Sequence, residues 1–463
     1  MEKCTVREIA AWSGGEIFGD DTLTVGGITT DSRSGGDDAL FIALKGERFD
    51  GNAFAEDFLR RGTAVMTERR AEPPPGKAVI VVDDTRKALR DAARRYRERF
   101  EIPVVGVTGS VGKTSTKDMI ASVLSRKFNT LKTQGNFNNE IGLPLTVFNL
   151  TREHQCAVLE MGMNRVGEIS RLTAIARPAA AVITNIGTAH IGNLGSRRNI
   201  LKAKLEILEK LEPGGIVALN GDDKMLYALK GRLPHRVIYY GIDNLKADVV
   251  ATDLVLGNDK SKFKTEVNGE TRAFEINAVG QHHIYNALAA IIIGLYYNVQ
   301  DVAGGVAAFT AGGMRQNIIK IGGVTLIEDC YNASAASMEA ALKVLSQLSG
   351  ANRAVAVLGD ILEQGAYAEK THRQVGAAVA AFEIGQLVTV GKDARYIADE
   401  ARQRGVSNIV SFDGNAEAAR YLEQEVRQGD TVLCKASRGM RFEEISAALQ
   451  ASLCPQNPCD GKE

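Results

Sequence analysis

The glycine-rich segment at residues 104–116 is the feature that most constrains the fold of this chain. Its sequence is Val-Val-Gly-Val-Thr-Gly-Ser-Val-Gly-Lys-Thr-Ser-Thr. An apolar run, then closely spaced glycines, then a polar segment that can begin a helix is the pattern of a buried strand, a tight turn and a helix. Such a turn presents backbone N–H groups to a phosphate, and the helix N-terminus adds a positive dipole. The segment therefore predicts an α/β fold that binds a nucleoside triphosphate.

Two side chains of this loop are expected to act directly on the nucleotide. Lys113 would reach the β- and γ-phosphates, and Thr114 would hold Mg²⁺. The spacing departs from the strict Walker pattern, because Val107 stands where that pattern has glycine. A chance glycine turn is the alternative, which the strand–turn–helix context disfavours. The residues expected at the nucleotide phosphates are Gly109, Ser110, Gly112, Lys113, Thr114 and Ser115.

Length and composition limit the class of protein. A chain of 463 residues predicts about three domains. Lysine plus arginine and aspartate plus glutamate both number 56, a balance that gives no support to a nucleic-acid partner. The six cysteines include no C-x-x-C pair, the first residues lack an apolar signal segment, and the longest apolar run, 287–297, is too short to span a bilayer. We expect a cytoplasmic monomer without a membrane span.

The alternation of apolar runs with helical patterns predicts three domains, at residues 1–100, 101–312 and 313–463. The first mixes short strands with turns and ends in a basic helix at 86–100. The second has helices at 166–176 and 197–211, and the third repeats the alternation, so both should contain parallel sheets. A few strands at 248–277 form an insertion or an edge. The remaining predicted strands lie at 156–160, 180–184, 216–219, 324–328, 354–358, 386–390, 408–411 and 431–434.

Glu160 and His190 follow predicted strands in the second domain. Ligands of open α/β sheets gather at the carboxyl ends of the strands, so a carboxylate there is a natural Mg²⁺ ligand. A solvated charge is the alternative for Glu160. For His190, a metal ligand and a structural histidine are equally supported.

Other candidates are less distinctive when the residues are considered alone. Most helical lysines are solvated, so Lys204 is expected at the surface. In the helix that starts near residue 281, capping is favoured over a contact with a base for His283 and Asn286. Lys435 and Arg438, beside Ser437, suit a carboxylate or a phosphate. The loops at 30–33 and 44–51 suggest a turn that binds an anion.

Together these segments resemble the Mur ligase family over about residues 5–450. The form G-x-T-G-x-x-G-K-T marks a wider superfamily of ATP-dependent ligases. The more specific motifs lie at 134–144, 160–164, 185–190, 329–333, 357–363 and 435–440. The resemblance implies three domains: a small N-terminal α/β domain for a UDP-linked substrate, a central P-loop domain with a parallel sheet, and a Rossmann-like C-terminal domain that closes on ATP and a dipeptide.

The resemblance also implies roles for residues that match family motifs. Thr114 and Glu160 would hold one Mg²⁺, and Glu160 and His190 a second. Lys204 matches a lysine that family members carry as a carbamate, which would make it a metal ligand and requires a neutral amine first. Lys113, Glu160, His190 and Lys204 are thus the expected catalytic residues. ATP contacts are also expected from Asn286, Arg315, Asp329 and Asn332, although family members usually have asparagine where His283 stands.

The motifs that match substrate loops of the family imply contacts with a UDP-linked muramoyl peptide and a dipeptide. The residues concerned are Ser32, Arg33, Lys45, Gly46, Asn138, Asn139, Lys435, Ser437 and Arg438.

The implied reaction joins D-alanyl-D-alanine to UDP-N-acetylmuramoyl-tripeptide through an acyl phosphate, a step of peptidoglycan precursor synthesis. A sibling ligase that adds another amino acid is one alternative, and the sequence Asp-Cys-Tyr-Asn-Ala at 329–333 favours the dipeptide ligase. A nucleotide-dependent switch without ligase activity is the other. A GTPase switch would carry an N-K-x-D loop, which the sequence lacks.

Overall fold

A computed structural model describes residues 1–46, 49–310 and 312–454 of the chain. Parts of the predicted 44–51 loop and of the predicted C-terminal domain lie outside these ranges, at residues 47–48 and 455–463. The parallel sheets described below confirm the expected α/β fold. The domain boundaries after residues 100 and 312 stay predictions.

The N-terminal part contains a five-stranded sheet in the order β2-β7-β6-β5-β4, in which only β2 is antiparallel to its neighbour. A short antiparallel pair, β1 and β3, lies beside it. The strands are β1 (Cys4–Thr5), β2 (Glu16–Gly19), β3 (Thr24–Val25), β4 (Gly27–Thr29), β5 (Ala39–Ile42), β6 (Ala64–Thr67) and β7 (Ala78–Val81). The helices are α1 (Val6–Ser13), α2 (Ala55–Leu59) and α3 (Thr85–Arg97), with a 3₁₀ turn at Gly51–Phe54.

Local sequence explains where these helices begin. At α1, the Thr5 hydroxyl accepts the Glu8 N–H (3.1 Å) and the Glu8 carboxylate accepts the Thr5 N–H (2.7 Å), which is a capping box. At α3, the Asp84 carboxylate accepts the Lys87 N–H, so the predicted basic helix is confirmed with slightly earlier bounds. Tyr96 of α3 is fully buried and anchors the N-terminal part to the central part.

The central part contains a seven-stranded parallel sheet in the order β14-β13-β12-β11-β8-β10-β9. Its strands are β8 (Val104–Thr108), β9 (Thr130–Lys132), β10 (Cys156–Glu160), β11 (Ala180–Ile183), β12 (Ile216–Asn220), β13 (Arg236–Gly241) and β14 (Val249–Val250). Five of them, β8 and β10–β13, are almost continuously apolar, as expected for strands covered on both faces. The strand predicted at 156–160 is confirmed residue for residue.

Helices cover both faces of this sheet. They are α4 (Lys113–Leu124), α5 (Gly142–Phe148), α6 (Glu168–Ala176), α7 (Ile191–Leu194), α8 (Arg197–Leu205), α9 (Lys224–Tyr227), α10 (His282–Tyr296) and α11 (Val302–Ala307). Two helices are shorter than predicted. Gly167, at φ 90°, precedes α6, and α8 gives way to a 3₁₀ turn at Glu206–Leu208. Hydrogen bonds join the start of α6 to the end of α8, because the Glu206 carboxylate accepts the N–H groups of Gly167 (2.7 Å) and Ser170 (3.0 Å).

The strands expected at 248–277 include an antiparallel three-stranded sheet in the order β15-β16-β17. Its strands are β15 (Thr252–Leu256), β16 (Ser261–Val267) and β17 (Glu270–Ile276). Alternate residues of β16 are buried and exposed, which is the pattern of a sheet with one wet face.

The C-terminal part contains a six-stranded sheet in the order β18-β19-β23-β20-β21-β22, parallel except for β18. Its strands are β18 (Asn317–Ile321), β19 (Val324–Glu328), β20 (Ala354–Gly359), β21 (Gln386–Val390), β22 (Ile409–Phe412) and β23 (Thr431–Lys435). Its helices are α12 (Ala335–Ser349), α13 (Ala368–Ala381), α14 (Arg395–Gln403), α15 (Asn415–Glu425) and α16 (Glu443–Leu453), with 3₁₀ turns at Gly365–Tyr367 and Arg438–Met440. Across the described ranges, no helix combines the length and apolar character needed to cross a membrane.

We predict that Tyr96→Phe destabilises the chain. The Tyr96 hydroxyl donates to the Leu150 carbonyl (2.6 Å) and accepts the Glu2 N–H (2.7 Å), so its loss leaves two partners unsatisfied near the core. A cost of about 1–3 kcal/mol is expected, measured as a lower midpoint of thermal unfolding. Tyr227→Phe is the control, because that hydroxyl makes only an exposed 3.4 Å contact. Equal midpoints for both variants would contradict the assigned role of Tyr96.

Candidate active site

A cavity of about 390 Å³ lies between the central and C-terminal sheets. Its walls come from the carboxyl ends of β8, β10 and β11 on one side and of β19 and β23 on the other. Such edges are where ligands of α/β sheets bind, and the volume suits a small molecule. The cavity brings together most of the residues expected at the site: Ser110, Gly112, Lys113, Thr114, Ser115, Asn138, Asn139, Glu160, His190, Asn286, Arg315, Asp329, Asn332 and Lys435.

The order of strands explains why these residues meet. The chain leaves β8 for one edge of the sheet, returns to β10, and then crosses to β11 on the other side of β8. Loops on either side of such a reversal diverge and leave a crevice between them. The phosphate loop after β8 therefore lies between Glu160, which ends β10, and the segment that follows β11.

The conformation of the phosphate loop depends on two glycines. Gly109 has φ 153°, and a Cβ there would lie 1.8 Å from the Thr184 hydroxyl oxygen. Gly112, at φ 85°, precedes α4, and no side chain caps the first turn of that helix. The N–H groups at the start of α4 are thus available to a phosphate.

The segment that follows β11 forms hydrogen bonds with the phosphate loop. The side-chain amide of Asn185 accepts the Val111 N–H (3.0 Å) and donates to the Val111 carbonyl (2.9 Å). The Gly187 N–H donates to the Ser110 hydroxyl (2.8 Å). These bonds fix the loop to the segment that follows β11.

Lys113 lies within the loop, where Nζ donates to the Gly109 carbonyl (3.0 Å). Burial lowers the pKa of Lys113 from its ordinary value; the Glu160 carboxylate opposes this shift, and the charge of Arg315 adds to it. Lys113 and Arg315 thus bring two cationic groups to the cavity that the Glu160 carboxylate also lines. Cationic groups in such a cleft suit a polyphosphate.

Glu160 is buried, which excludes the alternative of a solvated charge. Its Oε1 accepts from the Asn138 side-chain amide (2.7 Å), so Asn138 orients this carboxylate. Its Oε2 has no hydrogen-bond partner among the described residues. A buried carboxylate oxygen without a partner next to a phosphate loop fits a bound cation.

His190 precedes α7 in the left-handed backbone region, at φ 60°. Its Nδ1 lies 2.5 Å from a carboxylate oxygen of Glu363, a residue of the C-terminal part. Burial lowers the pKa of His190, and although Glu363 opposes this shift, Lys113 and Lys204 reinforce it. A neutral imidazole suits a metal ligand.

Lys204 of α8 is buried, so the expectation of a surface lysine, drawn from the residues alone, was wrong. Among the described residues, no hydrogen-bonding or anionic partner of its amine offsets the effect of this burial. Burial lowers the pKa of Lys204 well below its ordinary value, and the charge of Lys113 acts in the same direction. A neutral amine is the form that carbamate formation requires.

The expected magnesium sites combine three kinds of ligand: a hydroxyl, a carboxylate and an imidazole. In the part of the chain that the structure describes, no three His, Cys, Asp or Glu side chains are close enough to hold a metal. Thr114, Glu160 and His190 line the same cavity. Mg²⁺ commonly takes few protein ligands and completes its shell with water and phosphate oxygens, so these residues fit the ion.

The start of α10 does not behave as the capping interpretation predicts. Gln281 precedes the helix, and no side-chain hydrogen bond caps it. His283 and Asn286 are buried within the first turns. Asn286 accepts the Thr116 hydroxyl (2.9 Å), while its amide nitrogen has no partner among the described residues. Capping is therefore wrong, and an available amide in the cavity wall suits a nucleotide base.

The C-terminal wall carries a buried ion pair. Lys435 Nζ lies 2.6 Å from Asp329 and donates to the Asn332 carbonyl (3.1 Å). Arg315 lies with its guanidinium carbon 3.8 Å from the centre of the Tyr331 ring. The positive charge of Lys435 thus balances the negative charge of Asp329, while the face of the Tyr331 ring orients the guanidinium of Arg315.

Ser437 and Arg438 do not line the cavity. The Ser437 hydroxyl accepts the Leu362 N–H (2.9 Å), and Arg438 pairs with Glu443 (2.9 Å). The structure therefore separates them from Lys435, although the sequence places all three in one loop.

The N-terminal loops also lie outside the cavity walls. Ser32 and Arg33 follow β4, and Lys45 and Gly46 follow β5, at the same edge of the N-terminal sheet. Arg33 is exposed and paired with Asp31 (2.9 Å), which lowers the pKa of that carboxyl to about 2. Roles for these four residues stay predictions.

Some lining residues were not predicted from the sequence. Asn220 ends β12 and could have been found from the strand-end argument. Tyr240 and Tyr285 reach the cavity from β13 and α10, and their positions depend on packing that no motif reveals. Gln316 and Tyr331 enter from the C-terminal part.

Comparison with known proteins covers all three parts of the chain. Residues 24–97 match "Mur ligase family, catalytic domain", residues 107–294 match "Mur ligase middle domain", and residues 314–438 match "Mur ligase, glutamate ligase domain". A UDP-N-acetylmuramoyl-tripeptide--D-alanyl-D-alanine ligase from Bacillus subtilis is 39% identical over 96% of this chain and 98% of its own length. The ligase of the same name from Escherichia coli is 34% identical over 97% and 99%.

Solved structures agree with these sequence matches. MurF from Acinetobacter baumannii superposes with a TM-score of 0.90 at 32% identity, covering 97% of this chain and 99% of that one. MurF from Thermotoga maritima, solved in complex with ADP, gives 0.82 at 27% identity, covering 92% and 97%. The chain therefore belongs to the Mur ligase family of ATP-dependent ligases.

Proposed function

We propose that this enzyme joins D-alanyl-D-alanine to UDP-N-acetylmuramoyl-tripeptide, with conversion of ATP to ADP and phosphate, in peptidoglycan precursor synthesis. The observation that carries this proposal is the end-to-end similarity to ligases of that name. We propose that the reaction takes place in the cytoplasm and that the enzyme acts as a monomer.

The first chemical step is transfer of the γ-phosphoryl group. The terminal carboxylate of the tripeptide attacks the γ-phosphorus, ADP leaves, and an acyl phosphate forms. Two anions must approach each other, so positive charge has to be present before the attack. Lys113 and Arg315 supply it from opposite walls of the cavity. Magnesium ions, held at Thr114, Glu160 and His190, would neutralise further charge on the phosphates.

The second step forms the amide. The amine of the dipeptide attacks the acyl carbonyl, phosphate leaves, and the amine loses a proton. Lys435, Ser437 and Arg438 are proposed contacts of the dipeptide. Lys435 lines the cavity, whereas Ser437 and Arg438 lie outside its walls, so their contacts require that the C-terminal part moves during the cycle. Asn139 is proposed to face the muramoyl peptide, whereas Asn138 contributes through its bond to Glu160.

We propose that Lys204 is carbamylated. Its neutral ε-amine would add to CO₂ and lose a proton, which replaces a buried neutral amine by an anion near Lys113. The burial of Lys204 and its lack of a described partner support this proposal. Ser32, Arg33, Lys45 and Gly46 are the proposed contacts of the uridine nucleotide.

Phosphate release tests the proposed function. The enzyme is supplied with ATP, Mg²⁺ and UDP-N-acetylmuramoyl-tripeptide, with and without D-alanyl-D-alanine. Phosphate release is followed, and the mass of the product is determined by mass spectrometry. We expect sustained release only with both substrates, together with a product heavier by the dipeptide. Turnover with a single amino acid instead would indicate a sibling ligase. Phosphate release from ATP that depends on neither substrate would contradict ligase activity.

We predict that Lys113→Ala lowers kcat by at least ~10²-fold, because the variant loses one charge partner of the transferring phosphoryl group. Steady-state phosphate release at saturating substrates measures the change. Lys127→Ala, which removes an exposed lysine just beyond α4, is the control and should behave like wild type. Near wild-type turnover of Lys113→Ala would overturn the assignment of the phosphate loop.

Lys204→Ala is expected to be nearly inactive and to recover partly when short carboxylates are added, because a free carboxylate can replace the anionic end of a carbamate. Turnover is measured over a series of acetate and formate concentrations. Lys202→Ala changes an exposed lysine of the same helix and should show neither the loss nor the rescue. Full activity of Lys204→Ala without added carboxylate would refute the carbamate.

A further inference from the structure

A contact between the central and C-terminal parts lies beside the cavity, and the proposed reaction assigns a role to only one of its residues, His190. Here α7 meets the chain around Glu363 and the 3₁₀ turn that follows it. Besides the pair of His190 and Glu363, the Gly192 N–H donates to the Glu363 carbonyl (3.2 Å). The Tyr367 hydroxyl donates to the Gly195 carbonyl (2.8 Å). Three polar contacts thus dock these two segments.

The close approach depends on a glycine. A Cβ on Gly192 would lie 2.6 Å from the carbonyl oxygen of Glu363, closer than real Cβ atoms approach. Gly192 has no left-handed backbone that would demand glycine for its own sake. The absence of a side chain at this position is therefore what lets Glu363 reach His190.

Both partners of the pair have unusual backbones. His190 has φ 60° and Glu363 has φ 61°, in the left-handed region that is uncommon for residues other than glycine, although asparagine, aspartate and histidine adopt it more often than the rest. Such conformations cost free energy and persist where the surroundings enforce them, often at functional sites. The backbones of both residues of the pair therefore depend on their surroundings.

The loop that carries Glu363 is held firmly from within the C-terminal part. The Ile361 N–H donates to His372 Nε2 (2.9 Å), and His372 Nδ1 contacts the Ala368 carbonyl (2.7 Å). The Leu362 N–H donates to the Ser437 hydroxyl (2.9 Å). Glu363 is therefore presented by a rigid loop, and its position follows that of the whole C-terminal part.

We propose that Glu363 is a positioning residue, which accepts the Nδ1 proton of His190 and so leaves Nε2 of that ring for the metal. A carboxylate on one ring nitrogen of a histidine selects the tautomer, orients the ring and raises the basicity of the other nitrogen. Because Glu363 belongs to the C-terminal part, the metal site of the central part is complete only while the two parts are docked at α7. This inference rests on the proposed role of His190 as a metal ligand.

Metal binding tests the inference without turnover. Mn²⁺ is titrated into the enzyme with a non-hydrolysable ATP analogue, and free Mn²⁺ is read from its electron paramagnetic resonance signal. We expect about 10-fold weaker Mn²⁺ binding in Glu363→Ala, the scale for losing such a partner. Gly192→Ala should weaken binding in the same direction, because it separates the two segments while keeping every side chain of the pair. Glu369→Gln, at an exposed carboxylate of α13, is the control.

The ring nitrogens of His190 give a readout that a merely structural contact would not change. In protein with ¹⁵N-labelled histidine, the His190 signals are assigned by their loss in His190→Gln. We expect a protonated Nδ1 in wild type and a shift toward the other tautomer in Glu363→Ala.

Three outcomes separate this inference from the proposed function. If His190→Ala leaves Mn²⁺ binding unchanged, His190 is no metal ligand, and both that role and the inference about Glu363 fail, while phosphate release with both substrates still decides the ligase activity. If His190→Ala weakens binding but Glu363→Ala and Gly192→Ala stay within twofold of wild type, only the inference about Glu363 is overturned. Weaker binding in all three variants, with the tautomer shift, supports it.

Discussion

Charged side chains gathered in one crevice at the carboxyl edge of the central sheet are the constraint on which the rest of the site depends. Lys113 and Arg315 share its walls with the Glu160 carboxylate, and burial lowers the pKa values of Lys113 and of Lys204, on which the charge of Lys113 acts. Positive charge in a poorly solvated crevice is costly until an anion arrives. Preorganised charge of this kind is what a phosphoryl transfer between two anions requires.

The central and C-terminal sheets make different contributions to the site. The central sheet holds the phosphate loop, since the bonds of Asn185 and the close approach at Gly109 fix its shape. The C-terminal sheet brings Asp329 and Lys435 to the opposite wall. The pair of His190 and Glu363 joins these parts beside the site, so closure and assembly of the metal site become one event in our proposal.

Much of this arrangement was predictable because local sequence decides it. The strand at 156–160 and the phosphate loop follow from apolar runs and glycine spacing, which depend on neighbours in the chain. Lys204 and Asn286 show where such reasoning ends. Their patterns match a surface lysine and a helix cap, yet both are buried against elements distant in sequence. Only the resemblance to a family, and no physical argument from the residues, indicated their roles beforehand.

The sequence by itself determined the α/β class, the nucleotide loop and the strand-end positions of Glu160 and His190, because periodicity and turn chemistry act over a few residues. Tertiary structure alone decided that Asn138 orients Glu160, that Ser437 supports the Glu363 loop rather than lining the cavity, and that Glu363 meets His190. Each of these contacts joins residues that come together only when strands are ordered in sheets and the sheets are docked. That ordering depends on burial across the whole chain, which no short pattern records.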